Sequence, residues 1–156
     1  MKKITKIAAL AAVAALVLTF AACGVKGEDN GAADTIGKKY VAAFKSSKET
    51  DPAKLANELA GLKIFDSEMA LTDVKEGYLD GFNAAIAGFT KGTKFAPYIG
   101  SIPFIGYVFE TDDVKLLLDQ LNATADTRWN ICTEADEVVS ASRDGLVFFL
   151  MCSNEE

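Results

Sequence analysis

Glu137-Val138-Val139-Ser140-Ala141-Ser142, then Arg143-Asp144-Gly145, then Leu146-Val147-Phe148-Phe149-Leu150-Met151 is the stretch whose reading decides the fold. Two strand-like runs flank an Asp-Gly pair, and Asp and Gly are residues that tolerate the positive φ of a two-residue hairpin turn. The stretch therefore predicts an antiparallel hairpin with Gly145 at positive φ.

Upstream, Val114, Leu117, Leu118 and Leu121 recur at i, i+3, i+4 and i+7, the stripe of an amphipathic helix. Thr111 offers a hydroxyl as its N-cap, and Asp112 and Asp113 suit the positive end of the helix dipole. Glu110, Asp112 and Asp113 do not form a calcium loop, because no D-x-[DN]-x-[DN]-G pattern with a distal glutamate follows. Before them Phe104-Ile105-Gly106-Tyr107-Val108-Phe109 is apolar on both alternating faces, as in a central strand covered on both sides. Strand, helix and hairpin together predict an α+β fold, a small antiparallel or mixed sheet with helices packed against it.

Further towards the N-terminus, residues 69–109 are rich in glycine and aromatics, which reads as aromatics filling a core while glycines make turns. Within this region Pro97-Tyr98-Ile99-Gly100-Ser101 predicts an exposed loop, stiffened by Pro97, that presents Tyr98 and Ile99 for binding; the competing reading packs both inward. Asp51 as N-cap, Pro52 at the first helical position and the stripe Leu55, Leu59, Leu62 predict a helix from about Pro52 to Ala60, with Gly61 near its end. The run Lys39 to Phe44 is short enough to be strand or helix. The recurrence of Ile36, Tyr40 and Phe44 at i, i+4 and i+8 favours helix.

The leader has a different character. Lys2, Lys3 and Lys6 precede an uncharged run from Ile7 to Ala22, the layout of a secretory signal. The run is short for a spanning helix, which needs about 20 apolar residues, so removal is favoured over an uncleaved anchor. Thr19-Phe20-Ala21-Ala22-Cys23 resembles a lipobox, with Phe20 where leucine is commoner; the alternative is an ordinary A-x-A cleavage site beside an incidental cysteine. Two acyl chains on Cys23 anchor stably, because each buried methylene contributes about 0.8 kcal/mol. The expected organisation is a signal peptide at 1–22, lipidated Cys23 and a flexible stalk at 23–35, and one globular domain at 36–156. The expected location is extracytoplasmic, on the outer face of the cell membrane.

Charge and composition narrow the function. The chain has 16 basic and 22 acidic residues, and loss of Lys2, Lys3 and Lys6 with the leader leaves a formal net charge of −9, which repels nucleic acid. There is no histidine. That excludes Ser-His-Asp and Cys-His nucleophile systems and histidine-containing zinc sites. Neither a G-x-x-x-x-G-K-[ST] nor a G-x-G-x-x-G loop occurs, so no cofactor is expected. Carboxylates are plentiful, and two facing each other across a cleft suffice for glycoside hydrolysis.

Cys132 and Cys152 remain once Cys23 is lipidated, and they read either as a disulfide or as two buried thiols. Arg128, Trp129 and Asn130 are candidate binding residues, although an indole beside a helix end with a neighbouring arginine is commonly structural. The segments Gly100-Ser101-Ile102-Pro103-Phe104, Tyr107-Val108-Phe109 and Arg128-Trp129-Asn130-Ile131-Cys132-Thr133-Glu134-Ala135-Asp136-Glu137 resemble a pattern in small uncharacterised lipoproteins of Gram-positive bacteria. The resemblance covers roughly the last third of the chain and the lipobox. It implies location and fold, and carries no catalytic residue or ligand with it. The reading favoured is a membrane-anchored binding or interaction module for a protein or small-molecule ligand, the alternative a small extracytoplasmic hydrolase using paired carboxylates.

Overall fold

A strand that is apolar on both faces needs cover on both faces, and the fold is built around two of them. The computed structural model describes residues 34–154 except 65, 100 and 131. The leader, Cys23 and the stalk as far as residue 33 lie outside the described residues.

The elements run α1 (Ile36–Ser46), α2 (Pro52–Ala60), β1 (Met69–Val74), β2 (Gly77–Tyr78), β3 (Ala85–Ile86), β4 (Lys91–Pro97), β5 (Phe104–Glu110), α3 (Val114–Thr124), β6 (Glu137–Arg143) and β7 (Leu146–Cys152). β1, β4, β5, β7 and β6 lie side by side in that order, every neighbour antiparallel, and β2 pairs with β3 separately. The fold is α+β with an antiparallel main sheet.

Alternation along β5 and β7 divides the interior into two cores. Phe104, Val108, Phe148, Leu150 and Cys152 meet Tyr40, Phe44, Leu55 and Leu59 of α1 and α2. Ile105, Tyr107, Phe109, Val147, Phe149 and Met151 meet Leu117 and Leu121 of α3, with Phe82, Ile86 and Phe89 from the segment around β2 and β3. Full burial of such side chains contributes about 1.5–3 kcal/mol each, so these two central strands dominate the stability of the sheet.

Local rules explain most boundaries. Asp51 accepts from the N–H groups of Ala53 and Lys54, both at 3.1 Å, and Gly61 caps the C-terminus of α2. Ile36, Tyr40 and Phe44 are all buried, so the Lys39 to Phe44 run is helix. Thr35, placed by the sequence in the stalk, belongs to the domain as the N-cap of α1. The hairpin turn has φ of 50° at Asp144 and 77° at Gly145, the handedness a two-residue loop requires.

Two expectations need correction. The N-cap of α3 is Asp113, whose carboxylate accepts from Leu116 N at 3.0 Å, not Thr111. The Thr111 hydroxyl instead donates to the Gly88 carbonyl at 2.5 Å and accepts from Asp113 N, tying the loop before β4 to the end of β5. Glycines 77, 81 and 88 do sit at positive φ, but Gly92 lies inside β4, as Gly106 lies inside β5 where the doubly apolar run places it. There the missing side chain makes room for an aromatic ring on the neighbouring strand.

Candidate functional site

The connection between β4 and β5 and the segment between α3 and β6 meet over one end of the sheet and leave a groove of about 440 Å³ between them. Ala96 and Pro97 of β4, Ile102 before β5 and Ile105 within it form the apolar floor, and Trp129, Asn130 and Cys132 form the opposite wall. Lys94, two residues before Ala96 and so on the same face of β4, enters with Asp80.

Backbone ties hold the walls. Asp126 N donates to Gly81 O and Ala135 N to Thr127 O, both at 2.9 Å, while Trp129 N donates to Asp126 O at 3.1 Å. Asp126 Oδ1 also accepts from Arg128 N at 2.9 Å. The Tyr107 hydroxyl, buried under the groove, donates to Asp80 O at 2.8 Å. Burial first, and the nearby Asp80 charge second, push its pKa up, so it stays a proton donor and pins Asp80. Asp80 in turn binds Lys94 Nζ at 2.7 Å. The Lys94 side chain is 23% exposed and that of Asp80 67%, so the pair sits at the edge of the groove with its carboxylate the wetter partner.

The sequence-predicted residues divide between this groove and its surroundings. Trp129 and Cys132 line it, and Trp129 is half-buried against the α3-side core. Tyr98 and Ile99 follow Pro97 at the rim and are 71% and 69% exposed, which rules out the inward packing that competed with the binding-loop reading. Arg128 lines no part of the groove; its guanidinium pairs with Glu134 at 3.2 Å in solvent. Asn130, singled out with Arg128 and Trp129 in the sequence, also lines the groove, whereas Asp80 and Lys94 were not anticipated, because their roles depend on β4 lying beside β5 and under the 126–132 segment. Neither a polar strand nor a glycine-flanked aspartate announces that.

Cys132 and Cys152 are both free, so the disulfide reading does not hold in this structure. Cys152 is turned to the α1 side of β7 with Sγ 3.9 Å from Glu137 Oε2, whereas Cys132 is exposed on the groove wall. Burial, reinforced by Glu137, pushes the Cys152 thiol up to about 12, which makes it a packed, unreactive sulfur.

An apolar floor, an indole wall and one cation at the edge suit an amphiphilic small molecule, and the volume falls in the range of ligand sites, about 300–1,000 Å³. Hydrolysis by paired carboxylates needs two of them about 5 to 9.5 Å apart; among the described residues Asp80 is the only carboxylate lining the groove, and it is held by Lys94. No helix among the described residues is long and apolar enough to cross a membrane. No protein-family model, no curated protein and no solved structure matches this chain.

Proposed function

We propose that the protein is an extracytoplasmic lipoprotein, tethered through lipid on Cys23, whose domain binds a small amphiphilic ligand in the groove beside Trp129. The observation that carries the binding reading is the convergence of an apolar floor, the Trp129 indole and the Lys94 ammonium in one cavity, with exposed Tyr98 and Ile99 at its rim. A ligand with a flat apolar body and an anionic group matches that chemistry: the ring lies on the indole and the anion takes a donor of the Lys94 ammonium beside the one that Asp80 holds. The tether reading rests on the lipobox-like ending at Cys23, and an acidic domain suits a position held off an anionic surface.

Trp129 is the only tryptophan in the chain, so its emission reports the groove directly. Titration with anilinonaphthalene sulfonate, an aromatic anion, is expected to give saturable one-to-one energy transfer from Trp129. Lys94→Met is expected to weaken it about tenfold, equivalent to about 1.4 kcal/mol, at an unchanged melting temperature. Equal affinity in the mutant would move the site elsewhere. For the tether, cells given radiolabelled palmitate are expected to label the wild-type chain and not Cys23→Ala. Equal label in both would remove the lipoprotein reading while leaving the groove untouched.

A further inference from the structure

The sheet ends on β6, which is bonded to β7 on one side and, among the described residues, to no strand on the other. Edge strands are usually blunted by lysine, proline, a bulge or an inward charge. Glu-Val-Val-Ser-Ala-Ser-Arg has no lysine, proline or glycine, and its two charges stand at its ends, held by α1, which leaves Val138 to Ser142 between them without any of these devices. Beside this open edge runs a groove of about 530 Å³, walled by β6 and by one face of α1. Lys38, Val41, Ala42 and Lys45 form that face at i, i+3, i+4 and i+7, with Val139 opposite and Val138, on the other face of the sheet, at the strand edge. Both lysines are exposed, and neither ammonium has an ion-pair partner among the described residues. In a chain with an excess of acids, two unpaired cations at either end of an apolar strip form a local positive field.

We infer that this edge is a docking site for an extended acidic segment of a partner protein, which adds to β6 as a sixth strand and places carboxylates on Lys38 and Lys45. α1 runs in the same direction as β6, since Glu137 meets its first turn and Arg143 its last. Lys38 and Lys45 are therefore about 10 Å apart along the groove at 1.5 Å per residue. On an added strand, side chains facing α1 recur every second residue, and positions i and i+4 are about 13 Å apart. Two lysine side chains span that difference. The segment recognised thus reads acid, any, small apolar, any, acid, with the central residue on Val41 and Ala42. Backbone bonding to β6 supplies affinity and the two lysines supply register.

Charge argues against a second copy as occupant. Pairing β6 with β6 across a two-fold axis would set two α1 helices side by side, bringing four ammoniums together without counter-charge. The site is separate from the groove at Trp129 and does not depend on it.

The test uses the full-length chain, isotope-labelled and held in mild detergent, with the capped peptide Thr-Glu-Thr-Val-Thr-Glu-Thr as probe. Saturable shifts are expected at the amides of β6 and the first turns of α1, together with slowed exchange along the outer edge of β6. Methylating the alternate peptide nitrogens that face β6 is expected to abolish binding. Replacing both glutamates of the peptide with lysine is expected to weaken it about tenfold or more, and the Lys38→Glu, Lys45→Glu variant to reverse that preference. Those two substitutions are on exposed positions, so folding is retained. Absence of saturable β6 shifts, equal binding of the methylated peptide, or no reversal of preference would each overturn the inference. Binding to anionic vesicles through the same lysines, with the β6 edge unprotected, would overturn it in favour of a lipid surface.

Discussion

Gly106→Val is expected to lower the stability of the domain by about 3 kcal/mol, the upper end for overpacking a core. Gly106 lies at the centre of β5, directly across from Phe95 on β4. It has no positive φ, so the backbone does not demand glycine there. The neighbour does. A Cβ at this position would sit 2.5 Å from Phe95 Cε1 and 2.7 Å from Cε2, well inside contact distance. The ring cannot move aside, because it is fully buried among Tyr40 at 6.1 Å, Phe104 at 5.9 Å and Phe148 at 6.5 Å between centroids. Phe95→Ala alone is expected to cost about 3–5 kcal/mol through the cavity it leaves. In the double variant the valine side chain enters part of that cavity, so the two costs are expected to fall short of additivity by about 1–2 kcal/mol. Urea unfolding of the four proteins in the cycle measures this. Additive losses would mean that the ring does not lie over Gly106.

The same pair shows where sequence reading stops. The doubly apolar character of β5 follows from alternation alone, and so do the positive φ of Gly145, the α2 helix under Asp51 and the burial of Ile36, Tyr40 and Phe44. Each of these is set within about ten residues by periodicity or by a cap. β1 and β4 are not announced in this way. Lys-Gly-Thr-Lys-Phe-Ala-Pro has one large apolar residue, and its identity as a strand depends on Phe95 finding the gap above Gly106 on a neighbour. Gly106, inside the strand that alternation predicts, is the other half of that contact. The groove was legible in the same partial way: Trp129 and the Pro97 loop stand out by type, whereas Lys94 and Asp80 become a pair only after strand order brings β4 beside β5. The start of α3 was misplaced because Thr111 and Asp113 are both good caps, and the bond from Thr111 to Gly88 that separates them is long-range.

Substitution at either end of β6 is expected to release α1 from the sheet, with Arg143→Ala costing about 2–3 kcal/mol and Glu137→Ala about 1–2 kcal/mol. β6 holds the helix at both ends with opposite charges. Its first residue, Glu137, accepts from the Thr35 hydroxyl at 2.7 Å and from Gly37 N at 2.9 Å, so a carboxylate sits on the positive end of the α1 dipole. Its last residue, Arg143, donates to the carbonyls of Phe44 at 2.9 Å and Glu49 at 2.6 Å and lies 5.2 Å over the Phe44 ring, so a guanidinium sits on the negative end. Seven strand residues at about 3.3 Å and eleven helical residues at about 1.5 Å differ in span by about one side-chain length, which is why one strand can reach both termini. The arginine is expected to matter more. It satisfies the Phe44 carbonyl that the end of α1 leaves open and the Glu49 carbonyl in the loop beyond it, adds contact with a buried aromatic, and its side chain is only 14% exposed. Glu137→Lys separates dipole from packing: it keeps a long side chain but reverses the charge against the helix N-terminus, and is expected to be about 1 kcal/mol worse than Glu137→Ala. Gly37 makes that site tight, since a Cβ there would lie 2.5 Å from the Glu137 carboxyl carbon. Hydrogen exchange locates the loss. In Arg143→Ala and Glu137→Lys the α1 amides are expected to exchange faster while those of β5 and β7 keep protection relative to global unfolding. If Glu137→Lys matched Glu137→Ala, or if protection fell evenly over the whole sheet, the two-ended clamp would be wrong and α1 would be held by its apolar face alone.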